Sequence, residues 1–165
     1  MVDSGKDLSK GRMNIAPPLY AKPEVTMSKK LLEDYKRKLR KALDHLEYSS
    51  KKIQKFSLDH QLGEEELETM ESYTARMSRV SDIFVTKYLR LLISYEDPAF
   101  EGSVRDICNF AEKMRIIDKA DTWLEIRSIR NTTAHEYEEA DLLKFWQRSK
   151  QLGPIVIKTV RAALK

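Results

Sequence analysis

From Ser28 onward, apolar residues recur three or four positions apart, and no segment alternates apolar with polar as a half-buried strand would. That period restricts the chain to packed helices. Leu32, Tyr35, Leu39, Ala42, Leu46, Ser49, Ile53 and Phe56 mark one face of a helix expected over about 28–57. Leu67, Met70, Thr74, Met77, Ser81, Phe84, Tyr88, Leu91 and Tyr95 mark a second, over about 64–95. Val80, Val85 and Leu92 widen its stripe, so it should meet more than one neighbour. At 1.5 Å per residue each helix spans roughly 40–50 Å. Gly63 lies in the short link between them, which makes the pair antiparallel. The stripes read as core packing.

Glu96-Asp97-Pro98 ends the second helix, because proline restricts the residue before it. Ser103 can cap a third, with Val104, Ile107, Cys108, Ala111 and Met114 on one face. Cys108 therefore reads as a small buried hydrophobe. A fourth helix, about 119–131, turns Trp123, Ile126 and Ile129 inward. The last, about 134–164, runs through Leu142, Phe145, Trp146, Leu152, Val156 and Val160. Pro154 cannot bond the carbonyl four residues back, so Gly153-Pro154 is expected to kink or restart it. The expected fold is all-α, an antiparallel up-and-down bundle of about five helices.

At 165 residues, 41% hydrophobic and 34% charged, the chain is sized for one domain. Residues 1–27 hold Pro17, Pro18 and Pro23, two of the five glycines and no helical period, so they read as an extended or disordered arm before a domain at 28–165. A single cysteine excludes an intramolecular disulfide and a thiolate-rich metal site. No apolar run approaches the ~18 residues of a membrane span. The opening MVDSGKDLSKGRMN has no apolar core of a secretory signal, and a cytoplasmic location is expected.

Net charge is +4, but residues 1–30 carry six Lys+Arg and three Asp+Glu, leaving 24 against 23 in the rest. Overall basicity is therefore poor evidence for a polyanion partner. Charge is nevertheless uneven: residues 29–55 hold ten Lys+Arg and four Asp+Glu, and residues 64–71 hold five glutamates. The ordinary reading of such runs is solvated helix faces.

Most chemical signatures are absent: there is no Gly-rich phosphate loop, no G-x-S-x-G and no H-E-x-x-H. His45, His60 and His135 are too scattered for a sequence-local metal site, and His45 and His60 sit in polar surroundings expected at the surface. No metal or cofactor is called for.

One stretch does concentrate chemistry: Arg127-Ser128-Ile129-Arg130-Asn131-Thr132-Thr133-Ala134-His135-Glu136-Tyr137. On one continuous helix Arg130 and His135 would stand about 140° apart around the axis. Thr132 and Thr133 are poor helix formers, and Thr133 with Glu136 fits a capping box, so a junction is expected there. Arg130 would then end one helix and His135 open the next. Such parts suit metal-free RNA cleavage: a histidine moves protons at the attacking 2′-hydroxyl or the leaving 5′-oxygen, and an arginine offsets charge growing on the phosphate. They suit equally a capped helix end with a salt-bridged arginine.

Arg130-Asn131-x-x-x-His135-x-Tyr137 resembles the R-x4-H-x-Y signature of HepT-type HEPN domains, small all-helical proteins often encoded beside a minimal nucleotidyltransferase. Ala111-Glu-Lys-Met-Arg-Ile-Ile-Asp118 and Trp123-Leu-Glu125 are similar to that family too, especially its nucleotidyltransferase substrate-binding branch. The resemblance covers about 30–165 and leaves the arm outside. It implies a homodimer whose two motifs meet in one cleft, and a toxin of a toxin–antitoxin system. It further implies that Arg130 holds the scissile phosphate, that His135 is the acid–base and that Asn131 orients the pair. Arg127 would add to substrate binding. Tyr137 matches the tyrosine that receives AMP from the partner nucleotidyltransferase, silencing a ribonuclease by adding charge and bulk. The alternative within the family is a binding subunit without catalysis.

Overall fold

The computed structural model describes residues 23–55, 57–129 and 139–165, and those residues form helices joined by short turns, with no strand among them. Helix α1 is Pro23–Ile53, α2 is Glu64–Ile83 and α3 is Arg90–Glu96, the last two joined through a π-helical stretch, Phe84–Leu89. Helices α4 (Val104–Lys113), α5 (Ala120–Ser128) and α6 (Glu139–Ala163) complete the order. Counting α2 through α3 as one rod, the described chain is a five-rod helical bundle.

The start of α1 corrects the expected arm: Pro23 to Met27 are helical. Proline is tolerated in a first helical turn, where its missing N–H would be unbonded in any case. The helix stops at Ile53, four residues before the expected end, in a turn closed by Lys55 N–H on the Lys52 carbonyl (3.1 Å).

Helices α1 and α2 are antiparallel neighbours, as the short link demands: Arg76 on α2 donates to the His45 carbonyl on α1 at 3.2 Å. Helix α6 also runs antiparallel to α1, with Arg161 paired to Glu47 and Arg40 donating to the Leu164 carbonyl (3.2 Å). It runs parallel to α2, since Tyr73 donates to the Ser149 carbonyl (3.2 Å) and Tyr88 to that of Ala163 (2.8 Å). Between these three helices lies the core, including Leu39, Leu46, Met70, Met77, Leu152 and Val156, all fully buried. Helices α4 and α5 close it at the π-helical end, where Trp123 packs on Phe84 with ring centroids 4.8 Å apart.

The π-helical stretch changes which face is buried. A π turn bonds i to i+5 and so holds more residues than an α turn. At its end Leu89, and beyond it Ile93, are buried, whereas Leu91 is half-buried and Tyr95 is 38% exposed. The expected stripe is thus rotated after Tyr88.

Helix α4 begins in the expected cap: Ser103 Oγ accepts from Asp106 N–H (3.3 Å), and Asp106 accepts from Ser103 N–H (2.7 Å). It ends in a Schellman motif. Ile116 N–H reaches the Ala111 carbonyl and Arg115 N–H that of Glu112, both at 2.9 Å, with Arg115 left-handed at φ 59°. Met114 therefore falls at the helix end, 42% exposed, and not on the buried face. Helix α5 has no side-chain cap of its own; Glu112 on α4 accepts from Ala120 N–H at 2.6 Å. Cys108 is fully buried, as its place on the stripe requires.

Helix α6 passes through Gly153-Pro154 without restarting. The reason for the glycine is Tyr73: a Cβ at position 153 would lie 1.6 Å from its hydroxyl oxygen. The small residue admits the buried tyrosine, and the helix continues around it.

Candidate functional site

Arg130, Asn131, His135 and Tyr137 lie outside the described residues, and with them the expected capping box at Thr133. What is described is the frame on either side. Helix α5 ends at Ser128 and α6 is described from Glu139, so in chain order the motif falls between the last two described helices. Those two helices are well anchored. Glu125 on α5 takes a two-pronged ion pair from Arg148 on α6, with Nε and Nη2 at 2.6 and 2.7 Å from the two carboxylate oxygens. The guanidinium beside it holds the Glu125 carboxyl below its ordinary pKa. Ile126, Ile129 and Trp146 are buried on the inner sides of the same two helices.

Arg127 is the one expected site residue that is described. It lies in the last turn of α5, and its Nη1 donates to Asp82 on α2 at 3.0 Å. Its side chain is 21% exposed, so the guanidinium ties α5 to α2 near the start of the π-helical stretch. Nothing in the sequence announced Asp82 as the partner, because the two are far apart along the chain and no local period relates them.

Beside the start of α6 is a cleft of about 410 Å³. Leu62, Leu67, Leu142, Leu143 and Trp146 form its apolar wall, with His60, Gln61 and Glu64 at its polar rim. The loop that borders it is fixed to α6 by Gln147, which donates to the Leu58 carbonyl at 2.9 Å. His60 is exposed, as expected, but it is not isolated: Nδ1 lies 3.2 Å from Asp59 and Nε2 3.3 Å from Glu66. The Asp59 carboxylate, and after it Glu66, raise the imidazole pKa. Trp146 is 2% exposed, and its Nε1–H finds no acceptor among the described residues. The sequence offered no sign of this cleft, since its walls come from α2, the loop before it and α6, which only tertiary packing brings together.

No group of three or more His, Cys, Asp or Glu among the described residues could hold a metal ion. No described helix is long and apolar enough to cross a membrane. No family model, curated protein or solved structure matches the chain.

Proposed function

We propose that the chain is a HEPN-type, metal-independent endoribonuclease, acting as a homodimer and silenced when a minimal nucleotidyltransferase transfers AMP to Tyr137. The observation that carries this reading is the Arg130-x4-His135-x-Tyr137 spacing, which falls in chain order between the last two described helices of an all-helical bundle.

The chemistry is acid–base. His135 takes the proton of a 2′-hydroxyl as that oxygen attacks the adjacent phosphorus, or returns one to the departing 5′-oxygen; the paired motif of a second subunit supplies the other role. The products are a 2′,3′-cyclic phosphate end and a 5′-hydroxyl end. Arg130 binds the phosphate and offsets its growing charge, and Asn131 orients the pair. Asp82 competes with phosphate for Arg127, so Arg127 contributes less to substrate binding than Arg130 does. Silencing forms a bond from the Tyr137 oxygen to the α-phosphorus of ATP, with pyrophosphate leaving and the phenol proton passing to solvent. The added phosphate places negative charge where RNA must enter.

The test is cleavage of RNA in the presence of a chelator by the wild type, His135→Ala and Arg130→Ala, with circular dichroism to verify the helical content. Loss of cleavage in both variants is expected. Equal cleavage by His135→Ala would overturn the mechanism. Co-expression with a minimal nucleotidyltransferase should add the mass of AMP, and Tyr137→Phe should not gain it. A wild type that accepts AMP from the partner, yet cuts nothing when purified without that partner and unmodified, would favour a non-catalytic substrate-binding subunit.

A further inference from the structure

The C-terminal half of α1 presents a basic ridge that the motif chemistry does not use. Lys41, Lys51, Lys52 and Lys55 are exposed along it and make no ion pair among the described residues. Arg76 of α2 joins them, held by the His45 carbonyl and Ser49 Oγ and not by a carboxylate. In their midst Tyr48 is 57% exposed. Lys52 Nζ lies 5.2 Å and the Arg76 guanidinium carbon 5.8 Å from its ring centre. Asp44 is the exposed acid on this stretch of α1, and Glu65 and Glu68 face Tyr48 and Lys52 across the groove to α2.

This arrangement does little for the fold. Lys55 lies in the turn beyond the end of α1, and Lys51 and Lys52, in its last turn, gain only the weak, salt-screened pull of the helix dipole. Tyr48 keeps most of its ring in water, so its burial adds little. An open aromatic ring among cations left without carboxylate partners is what single-stranded nucleic acid requires: a face on which a base stacks, and charges spaced along the backbone beside it. From Lys41 to Lys52 the ridge runs about 16 Å along α1, with Lys55 in the turn beyond, room for several phosphates. A membrane surface is a poorer match, because α1 buries its aliphatic face in the bundle and the ridge carries no exposed leucine, isoleucine or valine.

We propose that this ridge is a binding track for single-stranded RNA, with one base stacked on Tyr48 and phosphates on Lys41, Lys51, Lys52, Lys55 and Arg76. The inference rests on the ribonuclease reading for its choice of RNA, and on α1 and α2 for its location.

The experiment measures fluorescence anisotropy of a labelled, 2′-O-methylated single-stranded RNA with the wild-type chain over a salt series. This probe lacks the 2′-hydroxyl and cannot be cut by the proposed mechanism, so binding is read apart from cleavage. Tyr48→Ala should weaken binding on the order of 5- to 150-fold, while Tyr48→Phe keeps it. Replacing Lys51, Lys52 and Lys55 together with glutamine should reduce the slope of log affinity against log salt by about 2. These side chains are exposed, and unchanged circular dichroism verifies that the variants fold. Ridge variants that bind within twofold of the wild type would overturn the proposal. Binding to anionic lipid vesicles without binding to the RNA probe would overturn it as well. A ridge that binds as expected in a chain that cuts no RNA would refute the catalytic reading alone; cleavage with an unchanged KM in the ridge variants would refute the track alone.

Discussion

Gly153→Ala separates local helix propensity from tertiary packing, because the two predict opposite signs. Residue 153 lies inside α6, where replacing glycine with alanine ordinarily stabilises a helix by up to about 1 kcal/mol. Here the new Cβ would fall 1.6 Å from the Tyr73 hydroxyl oxygen, 2.7 Å from Cζ and 3.3 Å from Cε2. Comfortable carbon contacts begin near ~3.5 Å. Tyr73 is fully buried, and its hydroxyl donates to the Ser149 carbonyl, so the ring cannot withdraw without stranding a polar group. Burial also raises its phenol pKa, keeping it the neutral donor. Overpacking costs about 1–3 kcal/mol, and a buried hydroxyl torn from its acceptor about 1–3 more. Less the propensity gain, the variant should lose about 1–5 kcal/mol, lowering Tm by roughly 2–20 °C for a chain of this size. Urea and thermal unfolding followed by circular dichroism measure it. In Tyr73→Phe the worst contact disappears, so the double variant should be less destabilised than the two single losses added together. A Gly153→Ala protein that melts higher than the wild type would refute the argument that Tyr73 sets residue 153.

Two further outcomes follow from backbone strain and from charge. Arg115→Gly should gain about 0.5–1 kcal/mol in urea unfolding, since it removes the left-handed strain of a side-chain-bearing residue at the end of α4; a loss would contradict this. His60→Gln should shrink the pH dependence of Tm. Because Asp59 and Glu66 raise the folded imidazole pKa, the stability His60 contributes is full below the unfolded value near ~6.5 and is lost as pH rises through the raised value. The Tm gap between wild type and variant should thus be wider at about pH 6 than at about pH 8, and equal gaps would rule out the coupling.

Much of the fold was legible because helix formation is written locally. The three-four spacing marked every rod, Ser103 marked a cap, and Pro98 followed a helix end. Cys108 on an apolar stripe and His60 in a polar stretch took the expected inner and outer positions. Misreadings arose where a local rule met a distant partner or an altered backbone. Pro23 looked like part of an arm, although a first helical turn accommodates it. Tyr95 matched a uniform period that the π-helical stretch broke. Arg127 was expected to add to substrate binding, and nothing in the sequence signalled that α2 brings Asp82 to it. The candidate chemistry was legible only as a spacing of Arg130, His135 and Tyr137, because a sequence holds residue types and order and not the distances between side chains.

The three-four apolar rhythm by itself determined that this chain makes helices, roughly where they lie and which face of each turns inward, since burial and backbone period act within one element. Only the tertiary structure decided that Gly153 accommodates Tyr73, that Glu112 of α4 caps α5, and that Arg76 of α2 comes to rest beside the Tyr48 ring. Each of those depends on side chains distant in sequence or on separate helices meeting within a few ångströms, and such distances arise only when whole helices pack.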